Sequence, residues 1–190
     1  YKVTVILCIR DPMDHMLSSY GEAIKRHKKI FSPDCYSEKY HLVKKVGGFI
    51  DFCTQNNYNL KVINYSRQKR DLAVAFEESL DILPGTLKLP ASKTVNRSLT
   101  ASELELQRLF NLHLDDGSSK FISDILCNEL PDVVPEKLKL GNHAASKFVD
   151  RIFSDIESVN IKLDEKSRYS LPSDMTAKGK VDQDIFTFSK

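Results

Sequence analysis

The sequence predicts an α/β fold in which a parallel sheet is flanked by helices and the C-terminal half is mostly helical. A nearly unbroken apolar run from Val3 to Ile9, rich in β-branched residues, is typical of a strand buried on both faces. A second strand is predicted over Leu60–Tyr65, with amphipathic helical spacing between the strands and after them. A strand, a helix and a strand form a right-handed crossover, so the two strands should be parallel.

The composition is that of a globular protein. The chain has 190 residues, of which 41% are hydrophobic and 28% are charged, and this length favours a single domain over residues 1–190. The formal net charge of +2 gives no argument for binding nucleic acid. No apolar run in the sequence is long enough to span a membrane.

The cysteines favour free thiols over disulfides. Cys8, Cys35, Cys53 and Cys127 include no Cys-x-x-Cys pair and no zinc-finger spacing. Free thiols indicate a reducing compartment, so the expected location is cytoplasmic. Cys8 is expected to be buried within the first strand. A disulfide between Cys35 and Cys53 stays open as the alternative.

The first strand ends in a charged residue and is followed at once by a helix start. Asp11 occupies the N-cap position, Pro12 the first helical position, and Asp14 the first turn. Arg10 lies where ligands bind in parallel sheets, and a guanidinium beside helix N–H groups suits a phosphate or sulfate. Ser18 can add a hydroxyl about two turns further on. The alternative is that Arg10 pairs with a neighbouring carboxylate and Ser18 faces solvent.

These residues resemble the 3′-phosphate motif of the sulfotransferases that use 3′-phosphoadenosine 5′-phosphosulfate (PAPS). The motif follows an apolar strand and reads Arg10-Asp11-Pro12-x-Asp14-x-x-x-Ser18-x-Tyr20. The resemblance implies a P-loop-like fold. It also implies that Arg10 and Ser18 hold the 3′-phosphate of the cofactor.

Two further stretches agree in order with the same family. The strand ending at Tyr65 resembles the family's next strand, whose final tyrosine lies near the nucleotide, and packing at the sheet rim is the alternative. The segment Val95–Glu103 resembles one frequent in bacterial members. The resemblance therefore implies that this segment contributes Asn96, Arg97 and Ser98 to the cofactor site, although a surface loop would look the same.

The sequence departs from the family at one important point. The resemblance calls for a phosphate loop with a lysine and a Ser/Thr for the 5′-phosphosulfate, and no such loop follows a strand here. We therefore expect an N-terminal part that carries this loop to be missing from the sequence, together with any catalytic base from that region. No catalytic residue is assigned, and the resemblance implies no metal.

The function implied by the resemblance is transfer of a sulfonate from PAPS to a hydroxyl or amine. The acceptor would be a small molecule or a carbohydrate, and the product adenosine 3′,5′-bisphosphate. One alternative is a sulfotransferase-like domain that binds a nucleotide or a partner without catalysis, and another is a P-loop kinase. The basic run Lys25–Lys29 either receives an anionic acceptor or is a solvated helix end.

Two local patterns bear on helix stability. Thr100 and Glu103 form a predicted capping box at the start of a helix. Gly47 and Gly48 fall within a helix predicted over residues 37–56, where each glycine costs about 1 kcal/mol relative to alanine. Such a pair predicts either a kink or the close approach of another backbone.

Overall fold

A computed structural model describes residues 3–88, 97–114, 118–130, 133 and 138–170. The strands are β1 (Thr4–Ile9) and β2 (Asn59–Asn64). The helices of the first half are α1 (Pro12–His27), α2 (Pro33–Glu38), α3 (Leu42–Gln55), α4 (Tyr65–Gln68) and α5 (Leu72–Leu80). Those of the second half are α6 (Ala101–His113), α7 (Ser118–Glu129), α8 (Asn142–Asn160) and a 3-10 helix over Glu165–Ser167. The fold is therefore mixed α/β and mostly helical, with a two-stranded parallel sheet packed against helices.

The two strands pair as predicted. β1 and β2 are parallel, and their register runs from Thr4 opposite Asn59 to Ile9 opposite Asn64. Tyr65 was predicted to end the second strand, but it begins α4 instead. The reason is local, because the side chain of Asn64 accepts a hydrogen bond from the Ser66 amide at 3.0 Å and caps the short helix.

The prediction that the first strand is buried on both faces is wrong. Within β1 only Ile9 is buried, Cys8 is exposed, and the preceding Val3 is 49% exposed. In the part of the chain that the structure describes, β2 is the only strand paired with β1. Apolar composition identifies a strand, but it does not determine how many strands lie beside it.

The chain forms two compact units, each assembled from separate segments. Among the described residues, the first unit comprises 3–15, 41–88 and 147–170. The second comprises 16–40, 97–114, 118–130, 133 and 138–146. A single domain over residues 1–190 stays a prediction.

The core of the first unit lies between α3, β2 and the C-terminal part of α8. Its buried apolar side chains include Val43, Val46, Ile50, Ile63, Ile152, Ile156 and Val159. A Cβ added at Gly47 would lie 3.2 Å from Cγ2 of Val159, whereas one at Gly48 would meet nothing within 4 Å. The first glycine therefore permits a close approach, and the second does not need to be glycine.

The core of the second unit forms around α1. Tyr20 and Ile24 pack with Leu99 and Leu104, and burial raises the pKa of Tyr20 to about 12. The side chain of Asn111 donates to the carbonyl oxygens of Ile24 at 2.8 Å and Lys29 at 3.0 Å. These bonds join α6 to the C-terminal end of α1 and to the residues that follow it.

The predicted capping box is confirmed. The Thr100 hydroxyl accepts from the Glu103 amide at 3.1 Å, and the Glu103 carboxylate accepts from the Thr100 amide at 2.7 Å. All four cysteines are free, so the Cys35–Cys53 disulfide is not formed. Across the described segments, every helix is too short or too polar to serve as a membrane span.

Candidate anion-binding site

The carboxyl ends of the two strands bring Arg10 and Tyr65 together. Arg10 follows Ile9 at the end of β1, and Tyr65 follows Asn64 at the end of β2, its partner in the ladder. The guanidinium carbon of Arg10 lies 5.6 Å from the centre of the Tyr65 ring. A cation over the face of an aromatic ring is attracted to it, so the tyrosine helps to orient the arginine.

The guanidinium of Arg10 has no hydrogen-bond acceptor among the described residues. Its Nε is buried and lacks a partner, and no described carboxylate forms an ion pair with it. The alternative in which Arg10 pairs with a neighbouring carboxylate is therefore not seen in this part of the chain. An unpaired buried donor on a charged group is costly, and a bound anion would remove that cost.

The two acidic residues closest to Arg10 in the sequence are Asp11 and Asp14, and both are hydrogen-bonded to groups other than Arg10. The Asp11 carboxylate accepts from the Ser170 hydroxyl at 2.6 Å, the Ser170 amide at 3.2 Å and Asn64 Nδ2 at 3.2 Å. The Asp14 carboxylate accepts from the Ser66 hydroxyl at 3.3 Å. Asp11 precedes the first helical residue, as predicted, and its carboxylate joins the ends of both strands to the segment around Ser170.

The histidine beside this arginine adds little positive charge at neutral pH. Burial lowers the pKa of His15, and the positive charge of Arg10 lowers it further. The imidazole is thus mostly neutral at pH 7 and adds little to the positive charge of Arg10. The N-terminus of α1 begins two residues after Arg10 and contributes the positive end of its helix dipole.

Ser18 lies on α1 in the second unit, and its side chain is exposed. The predicted contact between Ser18 and a 3′-phosphate stays a prediction. The basic end of α1 is partly neutralised, because Glu22 contacts Lys25 at 3.6 Å and Arg26 at 3.4 Å. Lys25 is buried and Arg26 is exposed, so the predicted solvated helix end is seen only in part, and a role in receiving an anionic acceptor stays a prediction.

Arg97 is buried within the second unit, where both of its Nη atoms donate hydrogen bonds and its Nε has no partner among the described residues. Its Nη1 and Nη2 donate to the two carboxylate oxygens of Glu103 at 2.8 and 2.9 Å, and Nη2 also donates to the Leu126 carbonyl at 2.6 Å. The Ser98 carbonyl accepts a hydrogen bond from Nη1 of Arg97 at 3.2 Å, and the side chain of Ser98 is exposed. Asn96 lies outside the described residues. The two Nη atoms of Arg97 already donate to Glu103 and to backbone carbonyls, and a role of Asn96, Arg97 and Ser98 at a cofactor stays a prediction.

Sequence reasoning missed the residues that support the site. Asn64, Ser66 and Ser170 position Asp11, and the Asp11 amide in turn donates to the Ser66 hydroxyl at 3.0 Å. The sequence did contain a signal for Asn64. This residue stands at the end of a predicted strand, and Asn at such a place often caps a following helix. No local signal pointed to Ser170.

A scan against models of protein families, a search of curated proteins and a search of solved structures each found no match to this chain.

Proposed function

We propose that Arg10 binds a phosphate group of a nucleotide and that the chain is part of a PAPS-dependent sulfotransferase. The single observation behind this proposal is a guanidinium without an acceptor among the described residues, lying over an aromatic ring at the carboxyl end of a parallel strand. The chemical identity of the ligand comes from the resemblance of the motif that begins at Arg10. In this proposal the ligand is PAPS, and the product that remains bound is adenosine 3′,5′-bisphosphate.

The residues around Arg10 fit a phosphate. A guanidinium presents several N–H donors in a plane, which matches two phosphate oxygens better than a lysine would. Because Asp11 and Asp14 are bonded elsewhere, an incoming dianion does not have to displace a carboxylate. Arg10 would position the cofactor through its 3′-phosphate, away from the bond that breaks. The phosphate loop that the sulfonate end requires has no counterpart in this sequence.

Calorimetric titration tests this assignment directly. We expect adenosine 3′,5′-bisphosphate to bind more tightly than adenosine 5′-phosphate, because the second lacks the 3′-phosphate. Arg10→Ala should weaken binding of the bisphosphate by roughly ten- to a hundredfold, the range expected for a charge-assisted hydrogen bond. Arg70→Ala is the matched control, since Arg70 is an exposed arginine of the same unit. Equal binding of the two nucleotides would contradict the proposal.

A second readout follows from the neighbouring histidine. Since the positive charge of Arg10 contributes to the lowered pKa of His15, a bound dianion should raise that pKa. Titration of the imidazole by NMR, with and without adenosine 3′,5′-bisphosphate, measures this change. The change should be absent for adenosine 5′-phosphate and absent in Arg10→Ala.

A binding domain without catalysis is the second candidate, and the observation that favours it is that Arg10 would hold a phosphate away from the bond that breaks, so its contacts require no catalytic group. The two candidates differ in turnover. A sulfotransferase releases adenosine 3′,5′-bisphosphate from PAPS in the presence of a hydroxyl or amine acceptor, whereas a binding domain shows only the affinity described above. A P-loop kinase would instead require a Walker-type loop and magnesium.

A further inference from the structure

A cavity of about 660 Å³ lies along β2 in the first unit. Its walls are formed by the C-terminal part of α3, by β2, by α5 and by the segment 162–167. Cavities of this volume are typical of sites for small molecules. The chemical groups in these walls therefore indicate which class of molecule the cavity suits.

The backbone of β2 presents hydrogen-bonding groups to this cavity. The Asn59 amide donates to the Val3 carbonyl at 3.2 Å, so the backbone of Asn59 faces β1. Because successive residues of a strand alternate in direction, the backbone groups of Leu60 and Val62 point away from β1. The Val62 carbonyl accepts from the hydroxyl of Ser167, a residue of the cavity wall, at 2.6 Å. Among the described residues, the Leu60 amide and carbonyl and the Val62 amide have no partner.

A side-chain amide in the same wall also lacks a partner. Oε1 of Gln68, at the end of α4, is buried and has no hydrogen-bond partner in the part of the chain that the structure describes. A buried acceptor without a donor is costly, and an N–H group of a ligand would remove that cost. The cavity thus suits a molecule that contains amide groups, because these both donate and accept.

Charged residues of both signs line the cavity, and one of each sign lacks an ionic partner. Lys162 and Lys166 are paired with carboxylates at 2.6 and 3.2 Å, and the second of these carboxylates belongs to Glu78. The half-buried Lys61 and the exposed Asp164 form no side-chain contact of this kind with any described residue. A ligand that carries one negative and one positive group would match these two side chains.

We propose that this cavity binds a short peptide with free ends, such as a dipeptide or a tripeptide. Its amide groups would pair with the free backbone groups of Leu60 and Val62, as in the addition of a strand to a sheet. Its carboxylate would contact Lys61, and its ammonium would contact Asp164. An extended tripeptide spans about 10 Å, roughly the length of three residues of β2. This site is separate from the proposed nucleotide contact of Arg10.

Titration of the isotope-labelled chain with trialanine, followed by NMR, tests the proposal. We expect saturable shifts of the Leu60 and Val62 amide signals at peptide concentrations below about 10 mM. N-acetyl-trialanine lacks the ammonium, and trialanine amide lacks the carboxylate. Each should bind about two- to fivefold more weakly than trialanine, the range expected for an exposed ionic contact.

Two variants assign the ends of the peptide. Lys61→Met should weaken trialanine binding by about two- to fivefold and remove the preference for the free carboxylate over the amide. Asp164→Asn should remove the preference for the free ammonium over its acetylated form. Lys44→Met is the matched control, since Lys44 is an exposed lysine of the same unit outside the cavity, and it should bind as the unchanged chain does.

The affinity for adenosine 3′,5′-bisphosphate should be unchanged in Lys61→Met, so failure of the peptide site is distinguished from failure of the nucleotide site. Shifts that do not saturate would overturn the proposal. Equal binding of the three peptides, or equal losses in Lys61→Met and Lys44→Met, would overturn it as well.

Discussion

The end of β1 in the first unit and the start of α6 in the second use an arginine in opposite ways. Arg97 donates to both oxygens of Glu103 and to a backbone carbonyl, so its charge serves the fold. Arg10 has an aromatic ring beside it and no acceptor among the described residues. The difference indicates that an arginine is a better candidate for ligand binding when the surrounding carboxylates have been bonded to other groups.

The largest expected effect on stability comes from removing Arg97, and removal of Arg10 is its comparison. Arg97→Ala should lower the free energy of unfolding by about 3 kcal/mol, because it leaves the largely buried Glu103 carboxylate without its cation. Arg10→Ala should cost less than about 1 kcal/mol, since it breaks no hydrogen bond to a described residue. Denaturant unfolding measures both. An equal loss in the two variants would mean that Arg10 has a structural partner.

A smaller effect is expected for the two aspartates that follow Arg10. Asp11→Ala should destabilise the chain by about 2 kcal/mol, because the carboxylate accepts hydrogen bonds from Ser170 and Asn64. Asp14→Ala should change stability by less than about 0.5 kcal/mol, since its bond to Ser66 is long and exposed. Thermal unfolding of the two variants checks this order, and the reverse order would argue against Asp11 as the link between the strand ends.

Removing the ring beside Arg10 should affect binding more than folding. Tyr65→Leu should weaken the affinity for adenosine 3′,5′-bisphosphate by about two- to fivefold, the amount expected for an exposed cation–π contact. Tyr58→Leu is a suitable control, because Tyr58 has similar exposure and lies beside the ring of Phe52. Calorimetry compares the two, and an equal loss in both variants would exclude a specific role for Tyr65.

The smallest expected effect is a dependence of stability on pH. The pKa of His15 is lower in the folded chain than its usual value of about 6.5, so the unfolded chain binds more protons just below that pH. Stability should therefore be fully present above about pH 6.5 and should fall as the pH is lowered below it. Both variants should reduce the dependence of stability on pH. His15→Gln removes the group that titrates, and Arg10→Ala removes a charge that lowers its pKa. Unfolding measured at several pH values tests both, and an unchanged slope in His15→Gln would rule out this assignment.

The features that the sequence predicted correctly depend on neighbouring residues. The start of α1 at Pro12 and the capping box of Thr100 and Glu103 each need only a few adjacent positions. The parallel pairing of β1 and β2 follows from one crossover connection. The motif that begins at Arg10 is also continuous in the chain, but the role of Arg10 as a ligand residue stays a prediction.

The features that the sequence did not predict depend on distant residues. The carbonyl that binds Arg97 belongs to Leu126, 29 positions away, and nothing near Arg97 indicates it. The exposure of β1 depends on how many strands lie beside it, which its apolar composition cannot indicate. The sequence also did not indicate that Arg97 pairs with Glu103, six positions away, and the role of Arg97 at a cofactor stays a prediction.

The bonds between Asp11 and Ser170 have a consequence for folding. They join residues 159 positions apart, and contacts of such long range form slowly because a large loop must close first. During synthesis on the ribosome, the apolar strand next to Asp11 emerges long before the segment that anchors it. Chaperones that hold extended apolar segments should therefore capture nascent chains that stop short of Ser170 more readily than complete ones.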